Sequence, residues 1–162
     1  MFLIRPPTAL RLPLQGPSVF MAGSIDLGKS VDWQSELAGS LADLPGTLLN
    51  PRRAQWDSTW TAEAEFEPFR EQVEWELAGM EAADHIAFYF APESQAPVTL
   101  LELGLAARTG KAVVCCPRGY WRKGNVDVVC AKYGIPSVTS LRALSQFLHE
   151  TIRRRHPPRG ST

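Results

Sequence analysis

A single carboxylate in apolar surroundings is the residue whose type and position point most clearly to chemistry. Glu102 lies in the run Val-Thr-Leu-Leu-Glu-Leu-Gly-Leu-Ala-Ala, residues 98–107, which predicts a helix that is apolar on nearly all sides. A carboxylate is almost never fully buried without a partner, because removing its charge from water is costly. Glu102 is therefore a candidate nucleophile or general base at a cleft. The alternative is a structural acid that is hydrogen-bonded to Arg52 or to backbone donors.

A second carboxylate, Glu76, lies on the apolar side of another predicted helix. The apolar stripe of this helix consists of residues three or four apart: Phe66, Phe69, Val73, Leu77 and Met80. The helix is expected to begin near Glu67, because Pro68 fits only in a first turn. Glu76 shares the inward face with Gln72, one turn earlier. Two inward carboxylates on helices that flank one strand are typical of retaining glycoside cleavage, and the alternative is a surface acid at the edge of the stripe.

Short apolar runs and helical periodicity define the elements that must position these side chains. Strands are predicted at residues 19–22, 47–49, 86–90 and 112–116, with a weak edge strand at 135–138. Helices are predicted at about 31–43, from Glu67 onward, at about 97–108, at 126–132 and at about 141–153. Ser30 is the expected cap of the first helix and Ser140 that of the last.

The order of these elements predicts the fold class. Strand and helix alternate about five times, which indicates a single α/β domain with a doubly wound, mostly parallel sheet of five strands. The domain is expected to span residues 17–153. Residues 1–16 hold three prolines without a clear period and are predicted to form an irregular arm, and residues 154–162 are predicted to form a mobile tail.

The loops that follow the predicted strands hold most of the other polar candidates, because open parallel sheets bind ligands beyond the carboxyl ends of their strands. The predicted binding residues are Gly23, Ser24, Ile25, Asp26, Asn50, Arg52, Gln72, Thr99, Tyr120, Trp121 and Asn125. The Gly-Ser pair fits a phosphate-binding turn or a plain turn, and no nucleotide-binding glycine motif accompanies it. Arg52 follows a proline and is either aimed at an anion or paired with Asp57. Residues 118–123 form either an aromatic lid that stacks a base or a solvated loop.

Charge and cysteine content exclude several classes of protein. Lys plus Arg and Asp plus Glu both number 17, so bulk electrostatic binding of nucleic acid or of a membrane surface is not expected. Binding of a small anion by a few placed cations is compatible with this balance. No apolar run approaches the roughly 20 residues of a membrane span, and a proline interrupts the start too early for a secretory signal. Cys115, Cys116 and Cys130 lack zinc-site or disulfide spacing. They are predicted to be buried thiols of a cytoplasmic protein.

The sequence from about Val19 to Leu148 resembles the nucleoside 2-deoxyribosyltransferase-like proteins. The landmarks of the resemblance are Phe20–Asp26, Asn50–Arg53, Gln72–Glu76, Ala83–Asp84 and Leu101–Gly104. The last of these is the most specific, because the family's catalytic glutamate occupies a Glu-Leu-Gly element just after the third strand. The resemblance implies a flavodoxin-like sheet, a homo-oligomer (a dimer or larger) and cleavage of an N-glycosidic bond.

The resemblance also implies roles for particular residues. Glu102 matches the nucleophile, and Glu76 matches the carboxylate that hydrogen-bonds the substrate and assists the leaving base. Residues 23–25 match the loop that lines the sugar and base. Six residues before the nucleophile, the family's transferases carry an aspartate against the sugar 5′-hydroxyl and its nucleotide hydrolases a serine against the 5′-phosphate. Here that position is Ala96, with Ser94 and Thr99 nearby, so the choice between nucleoside and nucleotide stays open.

Three functional hypotheses follow. The first is an enzyme in which Glu102 attacks the anomeric carbon of a nucleoside or nucleoside 5′-monophosphate, with net retention. In this hypothesis Arg52, Tyr120, Trp121 and Asn125 hold phosphate or base, and no metal or redox cofactor is required. The second is a non-catalytic nucleotide-binding sensor, which Ala96 favours. The third is an NAD glycohydrolase. In each case the partner is a small molecule.

Overall fold

Six strands form one parallel sheet in the computed structural model, which describes residues 1–24, 32–53 and 59–156. The strands are β1 (Phe2–Ile4), β2 (Ser18–Gly23), β3 (Thr47–Leu49), β4 (His85–Tyr89), β5 (Ala112–Cys115) and β6 (Ser137–Val138). Their order across the sheet is β1-β3-β2-β4-β5-β6, and every neighbouring pair is parallel. The predicted α/β class and parallel sheet are confirmed.

The predicted number of strands is wrong, because β1 lies inside the segment predicted as an irregular arm. Phe2 pairs with Thr47 and Ile4 with Leu49, which places β1 at the edge of the sheet beside β3. Backbone groups make these contacts, and the first two residues of this short strand, Phe2 and Leu3, are exposed. The pattern of apolar residues therefore does not predict an edge strand of three residues.

Five helices are described in the same residues: α1 (Trp33–Ser40), α2 (Glu67–Ala82), α3 (Pro97–Ala106), α4 (Lys123–Tyr133) and α5 (Leu141–Arg155). The predicted start of α2, with Pro68 in the first turn, is confirmed, as is Ser140 as the cap of α5. The predicted cap Ser30 lies outside the described residues. Asp32 caps α1 instead, because its carboxylate accepts a hydrogen bond from the Ser35 N–H at 3.1 Å. Helix α4 begins three residues earlier than predicted.

The helices cover both faces of the sheet and bury two apolar layers. Alternate residues of β2 divide between the layers: Val19 and Met21 pack with α1 and α5, whereas Phe20 and Ala22 pack with α2, α3 and α4. Burial on both faces explains why the strands read as continuous apolar runs. No helix in the described ranges combines the length and the hydropathy that crossing a membrane requires.

Helix α2 turns inward a face that overlaps the predicted one, with Gln72 and Met80 in common, but that is rotated away from Leu77. Its buried residues are Gln72, Trp75, Gly79 and Met80, whereas Leu77 is 41% exposed. The Trp75 indole N–H donates to the Thr8 carbonyl at 2.8 Å, so the segment after β1 covers this side chain. A Cβ at position 79 would lie 2.9 Å from the Phe20 ring, so glycine lets helix and sheet approach closely. These tertiary contacts rotate the buried face toward Trp75.

The three cysteines are free and buried, as predicted. Cys115 and Cys116 belong to opposite apolar layers, as expected for adjacent residues of a strand. Burial raises the pKa of Cys115 to about 12 and that of Cys116 to about 11. Both thiols are therefore protonated at neutral pH and are poor nucleophiles.

Candidate active site

Glu102 lies on the buried side of α3, next to Thr99 and Leu103, and its residue surface is 9% exposed. Its side chain makes no hydrogen bond or ion pair within the described part of the chain, and Arg52 pairs with Asp32 instead. Burial, and then the charge of Glu76, raise the pKa of Glu102 from 4.5 to about 8. Glu102 is thus an inward carboxyl group that lacks a structural partner there and keeps its proton at neutral pH.

Glu76 lies on α2 and faces the same region as Glu102. Burial raises the pKa of Glu76, and a hydrogen bond from Gln72 Nε2 to Glu76 Oε1 at 2.8 Å partly offsets the effect. We call Glu76 and Glu102 the carboxyl pair. Because the charge of Glu76 raises the pKa of Glu102, the protonation of the two groups is coupled.

The end of β2 is packed tightly against α1 and β4. A Cβ on Gly23 would lie 2.6 Å from the Trp33 ring and 2.6 Å from the Tyr89 carbonyl oxygen. Ser24 is buried, and its carbonyl accepts from the Trp33 indole N–H at 3.0 Å, while its hydroxyl accepts from the Ala91 N–H at 3.3 Å. Steric fit therefore explains the Gly-Ser pair in the described residues. The predicted binding residues Ile25 and Asp26 lie outside them.

Replacing Gly23 with Ala is expected to lower the free energy of unfolding by about 1–3 kcal/mol, because the new methyl group overlaps the Trp33 ring and the β4 backbone. Urea denaturation measures the change. Gly39→Ala is the matched control: nothing lies within 4 Å of a Cβ at this position of α1, so the change should stabilise the protein by about 0.5–1 kcal/mol. Equal stability of Gly23→Ala and the wild type would contradict the packing argument.

The β3 loop, residues 50–53, is held by three side chains. The buried Asn50 Oδ1 accepts from the Arg52 N–H at 2.9 Å, and Gln72 Nε2 donates to the Pro51 carbonyl at 2.8 Å. Arg52 Nη1 lies 3.2 Å from Asp32 Oδ1. Asp57, the partner considered for Arg52 from the sequence, lies outside the described residues. The loop thus presents an arginine that is anchored to the start of α1.

Helix α3 begins at a backbone position of high energy. Ala96 has φ 44° and ψ 51°, the left-handed region that non-glycine residues avoid, and it precedes Pro97. Ser94 is buried, and its hydroxyl has no hydrogen-bond partner in the described structure. Thr99 is buried one turn before Glu102. Strained backbone and an unsatisfied hydroxyl next to a candidate nucleophile are features that cluster at functional sites.

The loop after β5 anchors the segment that precedes α3. The Tyr120 hydroxyl donates to the Gln95 carbonyl at 2.9 Å, and the Trp121 indole N–H donates to the same oxygen at 3.1 Å. Tyr120 is buried against Phe90, at 4.9 Å between ring centroids, whereas Trp121 is exposed and carries the Arg122 guanidinium 4.2 Å from its ring. Tyr120 therefore has a packing role. An exposed indole remains available for stacking on a base.

Some of the predicted site residues interact with one another in the structure, and others do not. Hydrogen bonds and electrostatic coupling join the carboxyl pair, Gln72 and the β3 loop. Asn125 is exposed on α4, with no described contact to this group. The sequence analysis did not single out Asp32 and Gln95. Asp32 pairs with Arg52, and the Gln95 carbonyl accepts hydrogen bonds from Tyr120 and Trp121 in the loop after β5. An acidic residue at the start of a helical pattern is a signal that could have identified Asp32. Gln95 contributes only its backbone carbonyl, which leaves no signal in the sequence.

The residues described hold no cluster of three or more His, Cys, Asp or Glu side chains that is arranged to bind a metal ion. The titratable groups described at the site are the two members of the carboxyl pair. Two interacting carboxyl groups provide a nucleophile and a proton carrier in one site.

A doubly wound parallel sheet with a carboxyl pair on the helices that cover one face defines a flavodoxin-like α/β protein with a carboxylate site. The sequence profile of the family described as nucleoside 2-deoxyribosyltransferase like matches residues 16–120, which include β2 to β5 and both carboxyl groups. The chain belongs to this family, and the resemblance seen in its motifs is confirmed. The family supports a general role in N-glycosidic bond transfer.

Comparison with solved structures supports the fold. The crystal structure of a conserved protein from Enterococcus faecalis V583 is similar, with a TM-score of 0.58 and 15% sequence identity over 86% of this chain and 99% of that chain. At this identity the likeness concerns the fold alone. No curated protein sequence matches the chain.

Proposed function

We propose that the protein is an enzyme that cleaves or transfers the N-glycosidic bond of a nucleoside or a nucleoside 5′-monophosphate, with Glu102 as nucleophile. The observation that carries the proposal is the state of Glu102. It is a buried carboxyl group with no structural partner in the described chain, and it is coupled to a second inward carboxyl group. Burial of an unpaired ionisable group is costly, which makes such a group a candidate for function, and family membership supplies the bond type.

The proposed reaction has two steps. A carboxylate oxygen of Glu102 bonds to the anomeric carbon, the C–N bond breaks with its electron pair moving to the base, and a proton from Glu76 neutralises the departing base. In the second step, water or another base attacks the same carbon, gives its proton to Glu76 and releases Glu102. Two displacements at one carbon retain its configuration.

The carboxyl pair suits this reaction because it carries a single proton over a range of pH. The reactive form has Glu102 ionised and the proton on Glu76, whereas the raised pKa of Glu102 favours the opposite arrangement in the empty site. Bound substrate places an electron-poor anomeric centre beside Glu102. Its positive charge develops in the transition state and stabilises the ionised nucleophile there.

Other groups are expected to hold the rest of the substrate. Arg52, oriented by Asp32, is the proposed contact for a 5′-phosphate, and Trp121 is the proposed stacking surface for a base. Ser94 and Thr99 are the hydroxyls nearest in sequence to Ala96, where the family carries its 5′ contact. The buried, unpartnered Ser94 hydroxyl supports a polar contact in this region.

A substrate panel tests the function. The protein is incubated with ribo- and deoxyribonucleosides, their 5′-monophosphates and NAD, and free base is measured by chromatography. Base release from a nucleoside or monophosphate, with a sugar adduct on Glu102 in the mass spectrum, supports the proposal. Release of nicotinamide alone selects the NAD glycohydrolase. Absence of any base release contradicts an enzymatic role.

A non-catalytic nucleotide sensor is the second candidate, and Ala96 favours it. The side chain at this position cannot form the 5′ hydrogen bond that aspartate or serine forms in the family's enzymes. In the same panel a sensor shows a ligand-dependent rise in melting temperature without free base, because binding stabilises the native state by mass action.

We also propose that the protein forms a homo-oligomer through the outer face of α3. Val98, Leu101 and Leu105 project from this face and are all more than half exposed. They present on the order of 300 Å² of apolar surface, a size that is often functional on a single chain. Between residues 97 and 107 Glu102 is the only charged residue, and it points inward.

A second copy of the chain is the occupant that this face fits best. A neutral apolar stripe pairs with itself across a two-fold axis without bringing like charges together. Gly104 lies in the stripe with open space around its Cβ position, so a helix from a second copy can approach closely. Tyr133 on α4 is also exposed, and its ring lies 5.5 Å from the guanidinium of Arg108, just after α3. It adds to the α3 face toward the roughly 800 Å² per partner of a stable interface.

Replacing Leu101 and Leu105 together with Glu is expected to convert the oligomer to a monomer, because four buried carboxylates would face each other across the axis. Sedimentation velocity at roughly tens of micromolar protein, where dimers of moderate affinity are assembled, measures the change. Leu12→Glu, at an exposed leucine of the N-terminal segment, is the matched control and should leave the assembly intact. A monomeric wild type would contradict the proposed interface.

A further inference from the structure

Gln72 connects the carboxyl pair to the β3 loop. The residue is 5% exposed on α2, and its Nε2 donates at 2.8 Å to the Pro51 carbonyl and at 2.8 Å to Glu76 Oε1. Both neighbours are hydrogen-bond acceptors, so the side-chain amide has one consistent orientation, with NH₂ toward both. The two protons of a single amide group thus bridge a backbone carbonyl and a carboxyl oxygen.

The bridge leaves Gln72 Oε1 buried and without a hydrogen-bond partner among the described residues. A buried unsatisfied carbonyl is destabilising, typically by about 1–3 kcal/mol. Methionine or leucine would fill the same space on a helix without this cost. Packing alone therefore does not account for glutamine at this position, whereas the need for two donors at fixed angles does.

The bridge also distinguishes the two oxygens of Glu76. Oε1 accepts the hydrogen bond from Gln72, so Oε2 is the oxygen that can bind and release a proton. The charge of Glu76 raises the pKa of Glu102 on α3, whereas Arg52 of the β3 loop pairs with Asp32. A neutral donor orients the carboxyl group without adding a positive charge to the site, which lysine or arginine would do.

We propose that Gln72 is a positioning residue for the carboxyl pair, an inference that rests on the function proposed above. Its amide fixes Glu76 Oε1 to the backbone of the β3 loop and so presents Oε2 to the leaving base. Loss of the bridge lets the Glu76 side chain rotate, and small displacements of a catalytic group cost on the order of 10²-fold in rate.

Gln72→Met tests the inference, because it keeps length and packing but removes both donors. We expect kcat/KM to fall on the order of 10- to 100-fold, with most of the loss in kcat. The variant lacks the donor that favours the ionised form of Glu76, so the pKa of Glu76 should rise. The acid limb of the pH–rate profile should therefore move to higher pH. Gln34→Met is the matched control: Gln34 is a buried glutamine of α1, on the opposite face of the sheet, and its replacement should leave the kinetics unchanged.

A titration separates failure of this inference from failure of the proposed function. In protein carrying ¹³C-labelled glutamate, with the Glu76 carboxyl signal assigned through Glu76→Gln, its midpoint should lie at higher pH in Gln72→Met than in the wild type. An unchanged midpoint overturns the positioning role whether or not the protein releases base. An inactive wild type with a shifted midpoint overturns the function and leaves the bridge supported. A Gln72→Met variant with wild-type kcat and pH profile overturns the inference.

Discussion

Glu102→Gln is expected to abolish the proposed base release and to make the folded protein more stable at neutral and alkaline pH. The amide cannot act as a nucleophile, so kcat/KM should fall on the order of 10⁴-fold or more. The side chain remains isosteric and becomes neutral, so the site no longer buries an ionisable group. An activity loss together with a stability gain is typical of a residue that the fold keeps at a cost for function.

The stability gain has a defined pH dependence. The pKa of Glu102 is raised in the folded protein from 4.5 to about 8, so the folded state holds its proton more tightly than the unfolded state. The stability of the wild type is therefore fully present below pH 4.5 and is lost as the pH rises toward 8. Each pKa unit corresponds to about 1.4 kcal/mol, so the gain of Glu102→Gln over the wild type should grow to a few kcal/mol by pH 8.

Urea denaturation at pH 5 and pH 8.5 measures this difference. Glu71→Gln, the same change at an exposed position of α2, is the control and should alter stability little at either pH. If Glu102→Gln were no more stable than the wild type at pH 8.5, the carboxyl group would not be buried as described. If it retained turnover, Glu102 would not be the nucleophile.

The pH dependence of turnover gives the second large effect. The reactive carboxyl pair carries one proton, so kcat/KM should be bell-shaped, with an alkaline limb near pH 8 and an acid limb above 4.5. Below the acid limb both groups are protonated and no nucleophile is present. Above the alkaline limb both are ionised and no proton is available for the base.

Glu76→Gln changes both limbs in predictable directions. Without the negative charge of Glu76 the pKa of Glu102 falls below 8, so ionised nucleophile is present at lower pH. The alkaline limb disappears, because no second proton is lost, and the maximal rate falls on the order of 10²- to 10⁴-fold. The base of a nucleoside such as 7-methylguanosine is already cationic and leaves without protonation. The rate of cleavage of this nucleoside should therefore fall less in the variant. A variant that kept the wild-type alkaline limb would remove Glu76 from the proposed mechanism.

Much of the fold follows from local patterns in the sequence. Continuous apolar runs mark strands that are covered on both faces, and the alternation with helices defines the parallel α/β class, because parallel strands need helical crossovers. Pro68 marks the start of α2 and Ser140 caps α5 for reasons contained in a single helical turn. The inward direction of Glu102 was likewise expected from the apolar residues around it.

Contacts between distant segments account for the differences. Strand β1 forms through backbone pairing with β3, which no side-chain pattern requires. The inward face of α2 depends on Thr8, which accepts the Trp75 indole N–H, and on the fit of Gly79 against Phe20. Tyr120 is buried, and its hydroxyl donates to a carbonyl 25 residues away in sequence; its binding role stays a prediction.

The sequence by itself determined the class of fold, the family and the two carboxylates, since residue type and period are local properties that survive without coordinates. Only the tertiary structure decided how these carboxylates behave. The pKa of Glu102 depends on burial and on the charge of Glu76, and that of Glu76 depends on burial and on its hydrogen bond with Gln72. The orientation of Glu76 depends on an amide that connects two elements. Electrostatic coupling and hydrogen-bond direction are set by distances of a few ångströms between residues that lie far apart along the chain.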